Sequence, residues 1–154
     1  MTKTRLAASG FEAPPVIAQR LREAAACYSD TAVAEQMLRA ALADDPECLA
    51  SYFSLYKFYF YKRRLHDAER IALRALSVAA RQGGFNADWS LLTPDAAEWS
   101  RVDAPEHFYL FTLKALAFMR LCLERGDEAR SILAKLKELD PRDSVGADVI
   151  RAMS

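Results

Sequence analysis

The sequence is poor in glycine, proline and cysteine, and it carries no net charge. Its 5 glycines and 6 prolines stand beside abundant alanine, leucine, arginine and glutamate, which argues against disorder or a glycine-rich sheet and favours helices with short connections. Its 21 basic and 21 acidic residues cancel, so no global field exists to collect nucleic acid or an acidic membrane surface. Any charged contact must therefore be local.

The cysteines are too few and too scattered for a disulfide framework or a metal site. Cys27, Cys48 and Cys122 lack any paired spacing, and each lies within an apolar helical pattern. The sequence therefore predicts three buried thiols in a reducing cytoplasm.

Segments for export or membrane insertion are also missing. The opening residues, MTKTRLAASGFEAPP, contain no continuous apolar stretch of the kind that a secretion signal needs. The most apolar run, from Phe108 to Leu123, is shorter than the roughly 20 residues of a membrane span and carries Lys114 and Arg120. We expect a cytoplasmic location and no membrane partner.

Apolar side chains recur at helical intervals along most of the chain, and no segment alternates convincingly as a strand. Asp45, Pro46 and Glu47 are typical of a helix start, and Gly83 with Gly84 of a helix end. The predicted helices span about residues 14–27, 31–43, 46–63, 66–82, 105–124, 127–139 and 144–152. A chain of 154 residues has the usual size of one domain, so the prediction is a single all-α domain over residues 1–154.

The segment SYFSLYKFYFYKRRLH, residues 51–66, has aromatic rings at seven of the ten positions from Tyr52 to Tyr61. Aromatic residues favour strands, but no turn residue interrupts the chain from Pro46 to Arg64. One helical stripe collects Tyr52, Leu55, Tyr56 and Tyr59. We therefore predict a helix with one ring-bearing stripe in the core and a second facing a partner.

Self-comparison at a spacing of 34 residues aligns small or apolar residues with each other. The aligned pairs are Leu21 with Leu55, Ala34 with Ala68, and Ala41 with Ala75. That period is typical of stacked helix pairs. The chain here resembles the tetratricopeptide repeat (TPR) family. The residues that carry the resemblance are Leu21, Ala34, Leu38, Ala41 and Pro46 in a first unit, Tyr52, Leu55, Tyr59 and Ala68 in a second, and Leu116, Ala117, Ala129, Leu133 and Pro141 in a third.

The resemblance implies a right-handed α-α superhelix of about three helix-turn-helix pairs, at about residues 14–43, 46–82 and 105–139, with a terminal helix at 144–152. The sequence departs from the family pattern at several positions. Ala80 stands in place of the closing proline, and Arg120 in place of the aromatic residue. Ala68 and Ala129 are 61 residues apart, an excess of 27 over the period. We interpret this excess as an insertion at residues 83–104, between the second and third pairs.

In the TPR family, the first helix of each pair lines a concave groove that binds extended peptides or partner helices. By register, the resemblance implies partner-binding roles for Phe53, Lys57 and Phe60 in the second pair and for Phe111, Lys114 and Phe118 in the third. Rings between lysines suit a peptide with apolar anchors and acidic residues. The alternative is that the insertion or the terminal helix fills this groove, which makes the rings part of the core.

Two further segments have open interpretations. Trp89 and Trp99 in the insertion either form a lid or second contact surface, or pin the loop over an apolar groove.

The cluster Lys62 to Arg64, with Arg70 and Arg74, makes a local basic surface. A nucleic-acid site would need more excess charge, so we expect no nucleic-acid partner.

Motifs for catalysis are missing as well. His66 and His107 stand at helix starts, and no zinc-protease motif, nucleophile elbow, phosphate loop or cysteine pair is present. We expect no catalytic residue, metal or cofactor, and no enzyme activity. The predicted function is protein-protein interaction, as an adaptor, assembly factor or dedicated chaperone. The alternative is a self-associating structural module whose aromatic face forms a homodimer interface.

Overall fold

The computed structural model describes residues 11–154, so the first ten residues of the predicted domain lie outside it. All regular structure within that range is helical, which confirms the all-α prediction. The helices are α1 (Pro15–Ala26), α2 (Thr31–Asp44), α3 (Leu49–Tyr61), α4 (Leu65–Gly83), α5 (Pro105–Cys122), α6 (Gly126–Leu139) and α7 (Asp148–Arg151), with short 3-10 helices at Trp89–Leu91 and Pro94–Ala96. In the described part of the chain, none of these helices has both the length and the apolar character needed to cross a membrane.

Two predicted helix boundaries were wrong. Helix α3 begins at Leu49 rather than at residue 46, because the Asp45 side chain accepts a hydrogen bond from the Glu47 amide and holds a turn there. The carbonyl of Pro46 accepts instead from the Tyr52 hydroxyl, at 2.8 Å. The terminal helix is also shorter than 144–152, since its one turn covers only Asp148–Arg151.

The turns that join α3 to α4 and α5 to α6 have the same construction. Each contains one residue in the left-handed region, Arg63 at φ 66° and Glu124 at φ 60°. In each, the next amide donates to the carbonyl five residues earlier, from Arg64 to Tyr59 and from Arg125 to Arg120. The two helix pairs therefore turn in the same way, although their sequences differ.

The helices pack in chain order around one main core. Helix α4 contacts both α3 and α5, and α6 packs on α5. Fully buried alanines on facing helices, including Ala41, Ala68, Ala75 and Ala129, let the backbones approach closely. The main cluster of buried apolar residues extends from Ala24 in α1 to Ile150 in α7, and a smaller one joins Ile17, Cys48 and Ala50.

Two glutamates make equivalent contacts between successive helix pairs. Glu35 in α2 accepts hydrogen bonds from Tyr59 at 2.5 Å and Arg64 at 2.7 Å, over sequence separations of 24 and 29. Glu69 in α4 accepts from Arg120 at 2.9 Å and Arg125 at 3.0 Å, over separations of 51 and 56. Each separation for Glu69 exceeds the corresponding one for Glu35 by 27 residues, the same number as the sequence excess. The insertion therefore lengthens the chain without altering this contact.

The insertion folds against α5 and α6. Trp99 is buried, with its ring 4.9 Å from that of Phe85, and its indole N–H donates to the Thr93 carbonyl at 3.0 Å. The Tyr109 hydroxyl of α5 donates to the Ala87 carbonyl at 2.6 Å, and Lys135 of α6 donates to the Leu92 carbonyl at 2.6 Å. Trp99 therefore pins this segment onto the helices.

The prediction of three buried thiols was wrong for two of them. Cys48 is buried, but Cys27 is only half-buried and Cys122 is exposed. Cys122 is the last residue of α5 and continues the helical stripe of Phe111 and Phe118, whose rings lie at the edge of the core and are only half-buried. An apolar neighbourhood in sequence did not distinguish this stripe from the buried one.

Candidate functional site: an aromatic groove with two lysines

The six predicted partner-binding residues line one groove between α3 and α5. Helix α3 contributes Phe53, Lys57 and Phe60, and α5 contributes Phe111, Lys114 and Phe118. The spacings within each helix, of three, four or seven residues, place these side chains on one face. The groove has a volume of about 380 Å³, and its remaining lining residues are Tyr56, Tyr61, Ala115, Met119 and Ile150.

Ring pairs stand at both ends of the groove. At the end nearer the helix N-termini, the Phe53 and Phe111 rings are 5.8 Å apart, and Phe11 packs on them at 5.4 and 5.1 Å. At the other end, the Phe60 and Phe118 rings are 5.4 Å apart. The rings thus form the floor and both ends of a continuous apolar surface.

Neither the insertion nor the terminal helix fills the groove. Within residues 11–154, no insertion residue lines it, and α7 contributes only Ile150. Phe53, Phe60, Phe111 and Phe118 are each half-buried, whereas their core neighbours Tyr56 and Met119 are buried. These four rings therefore cover the core on one side and face solvent on the other.

The two lysines lie over the groove rings. The Lys114 ammonium is 4.2 Å from the centroid of Phe111, and the Lys57 ammonium is 5.5 Å from that of Phe53, both within cation–π range. Burial lowers the pKa of Lys114, an effect that the negative charge of Asp143 partly opposes. In the described part of the chain, neither lysine forms an ion pair.

A second compartment continues the groove across α3, and the sequence analysis missed it. It has a volume of about 270 Å³ and shares Phe53, Lys57 and Tyr61 with the first compartment. Its other lining residues are Leu21, Ala24, Ala25, Tyr28, Leu38, Ser54 and Phe58. The small residues Ala24 and Ala25, which face a helix crowded with rings, are the signal that could have revealed it.

Other candidate features do not combine into a site. Arg64 of the predicted basic surface is held by Glu35 and Asp67, and Lys62 lies 3.9 Å over the Tyr28 ring. The Nδ1 atom of His107 is buried without a hydrogen-bond partner, and burial lowers the pKa of this histidine. Among the described residues, no group of three or more His, Cys, Asp or Glu side chains is placed to hold a metal ion.

The fold and the groove define an all-helical protein of packed helix pairs with a solvent-facing aromatic surface. The chain belongs to the same family as an uncharacterized 19.8 kDa protein in the nifW 5' region of Azotobacter chroococcum mcd 1. The two sequences are 33% identical over 129 residues, which cover 76% of this chain and 67% of the relative. No family model matches the chain, and no solved structure matches it significantly.

Proposed function

We propose that the chain is a cytoplasmic protein-interaction module built from TPR-like helix pairs. It acts as an adaptor, assembly factor or dedicated chaperone. A peptide or helix of a partner protein lies in the groove formed by Phe53, Lys57, Phe60, Phe111, Lys114 and Phe118. The pairs are α1–α2, α3–α4 and α5–α6, arranged as a right-handed superhelix interrupted by the insertion.

Repeated contacts support the helix-pair part of this proposal. The α3–α4 and α5–α6 turns have equivalent hydrogen bonds, and each has a left-handed residue at the same position, Arg63 in one and Glu124 in the other. Glu35 and Glu69 each hold the following pair through equivalent positions, Tyr59 or Arg120 and then the arginine five residues later. Arg120 therefore fills the place of the family's aromatic residue by extending to Glu69. Such recurrence is typical of a repeat array, in which each unit contacts its neighbour through the same surface.

The observation that carries the binding proposal is the set of half-buried rings on one open face. Phenylalanine side chains offer large contact area at a small entropic cost, and contiguous apolar surface of this kind commonly marks an interaction site. Phe60 and Phe118 lie opposite each other, away from the packing around Phe11. They can therefore be replaced with less disturbance to the core than Phe53 or Phe111.

The proposal is tested by affinity capture from native extract of the source cells, followed by mass spectrometry. Wild type is compared with Phe60→Ala/Phe118→Ala and with Leu91→Ala, which removes an exposed apolar side chain outside the groove. Circular dichroism verifies that each variant remains folded. We expect one defined protein to be retained by wild type and Leu91→Ala and lost from the double variant.

Retention of the same protein by Phe60→Ala/Phe118→Ala contradicts the groove assignment. Sedimentation equilibrium of the purified chains separates the self-association alternative. If the mass of wild type rises with concentration while that of the double variant does not, the rings join two copies of this chain instead of binding a partner.

A further inference from the structure

We infer that the groove binds an amphipathic helix with two bulky apolar residues seven positions apart and one Asp or Glu three or four positions after the first. The inference rests on the proposed function and specifies the chemistry of its partner. It follows from the division of the groove, the spacing of its two parts and the position of the lysines.

The groove accepts two separate anchors. Its first compartment lies between α3 and α5, and its second lies against α1 and α3. The wall between them is formed by Phe53, Lys57 and Tyr61, which line both. A ligand that uses both compartments must therefore cross α3 and place one apolar side chain on each side of it.

The distance across α3 selects a helical ligand. Helix α3 contacts both α1 and α5, and packed helices have axes about 8–10 Å apart. Two residues seven positions apart on a helix are separated by about 10 Å and lie on one face, which matches this distance. On an extended strand, residues on one face are about 7 or 13 Å apart, so neither spacing fits as well.

The charges in the groove select an acidic residue between the anchors. Lys57 stands in the dividing wall, and Lys114 lines the first compartment, while no acidic residue lines either compartment. Around the rest of the described chain, most arginines have a carboxylate partner, as Arg64, Arg81 and Arg120 do. Lys57 is exposed, Lys114 is half-buried, and neither forms an ion pair with another described residue, so a carboxylate supplied by the ligand can pair with an ammonium that has no such partner.

The segment formed by residues 1–10 does not have this chemistry. It contains the cations Lys3 and Arg5 and no acidic residue. A second cationic segment in the groove would add like charge beside Lys57 and Lys114. The charge of the groove therefore favours a segment of another protein.

The test is selection from a phage-displayed library of random hexadecapeptides on the immobilised wild-type chain. We expect the enriched peptides to carry bulky apolar residues seven positions apart with an acid between them. The most enriched peptide is then synthesised with its Glu or Asp, and again with Gln or Asn at that position. The amide peptide should bind wild type about tenfold more weakly, the loss expected for one charge-assisted hydrogen bond.

Four variants locate the effect. On Lys57→Gln, the acidic and amide peptides should bind equally, whereas Lys137→Gln, an exposed lysine outside the groove, should behave as wild type. Ala25→Phe fills the second compartment from an exposed position and should weaken the acidic peptide about tenfold or more. Phe60→Ala/Phe118→Ala should remove the enrichment.

Each contrary result has its own meaning. Equal binding of acidic and amide peptides to wild type overturns the charge selection, and enrichment of an alternating extended pattern overturns the helical ligand; both leave groove binding intact. Enrichment that survives Phe60→Ala/Phe118→Ala, or no enrichment at all, overturns the proposed function itself. If the enriched peptides match this chain's own sequence, the result overturns the foreign partner, and the occupant of the groove is a second copy of this chain.

Discussion

At the scale of single residues, Glu35 and Glu69 show how the helix pairs are held together. Hydrogen bonds from Arg64 and Tyr59 lower the pKa of Glu35 to about 2. Burial, with the hydrogen bond to Glu35, raises the pKa of Tyr59 to about 12. Burial works against the charge of Glu69, but hydrogen bonds from Arg120 and Arg125 lower its pKa all the same. Both carboxylates therefore remain ionised at neutral pH.

The depressed pKa of Glu35 predicts a pH-dependent contribution to stability. Above about pH 4.5 the Glu35 carboxylate is ionised in both the folded and the unfolded chain, so its contribution to stability is complete. Below that value the unfolded chain binds a proton first, and this contribution disappears as the pH falls toward about 2. Glu35→Gln should lower the free energy of unfolding by about 1–2 kcal/mol at neutral pH. Urea unfolding between about pH 7 and pH 3 should show this difference shrinking toward the acid end.

Glu98→Gln is the matched control for Glu35→Gln, because Glu98 is exposed and lies in the insertion, away from α2 and α3. Its urea midpoint should stay close to that of wild type at neutral pH. If Glu35→Gln lowers the free energy of unfolding by the same amount at every pH, the effect does not come from the ionised carboxylate.

At the scale of the elements, helix ends decide where each pair turns. Helix α4 ends where Gly84 adopts φ 78°, and the Gly84 amide donates to the Ala80 carbonyl at 2.8 Å. No atom outside its immediate chain neighbours lies within 4 Å of the place where a Cβ would stand at Gly84. A substitution there meets backbone strain and no steric clash.

Gly84→Ala should therefore lower stability by about 1 kcal/mol, the cost of an L-residue in the left-handed region. For a chain of this size, that corresponds to a fall in Tm of about 3 °C. The Tm of Gly84→Asn should fall less than that of Gly84→Ala, because asparagine tolerates this conformation better than alanine. Thermal unfolding followed by circular dichroism measures both variants, and an unchanged Tm for Gly84→Ala would rule out strain at this position.

The elements also show what the sequence could predict. Periodicity predicted the helices, and the register of the TPR pattern placed all six groove candidates on one face. The Asp45–Pro46–Glu47 start was wrong because the Asp45 side chain can stabilise either a helix start or a preceding turn. In the structure it accepts from the Glu47 amide within a turn, and the Pro46 carbonyl accepts from the Tyr52 hydroxyl. The second compartment depends on space between α1 and α3; the small side chains of Ala24 and Ala25 are a signal for it only once the two helices are known to face each other.

At the scale of the whole molecule, the insertion belongs to the same core as the helix pairs. Leu92 and Trp99 of the insertion are part of the buried cluster that also contains residues of all seven helices. The Trp89 ring lies 5.5 Å from the guanidinium carbon of Arg120, the residue that joins α5 to Glu69. The insertion is therefore packed against the same residue that links the second and third pairs.

This shared core predicts that the described helices and the insertion unfold together, even though repeat arrays can unfold in parts. Trp89 and Trp99 are the only tryptophans of the chain, so tryptophan fluorescence reports the insertion, while circular dichroism reports the helices. We expect the two signals to give the same urea midpoint and the same slope. Trp99→Ala leaves a cavity beside Phe85 and Tyr109 and should lower the free energy of unfolding by about 3 kcal/mol or more. The urea midpoint measured by circular dichroism should fall accordingly. A fluorescence transition at lower urea than the helical transition would show instead that the insertion detaches first, with the helix pairs stable without it.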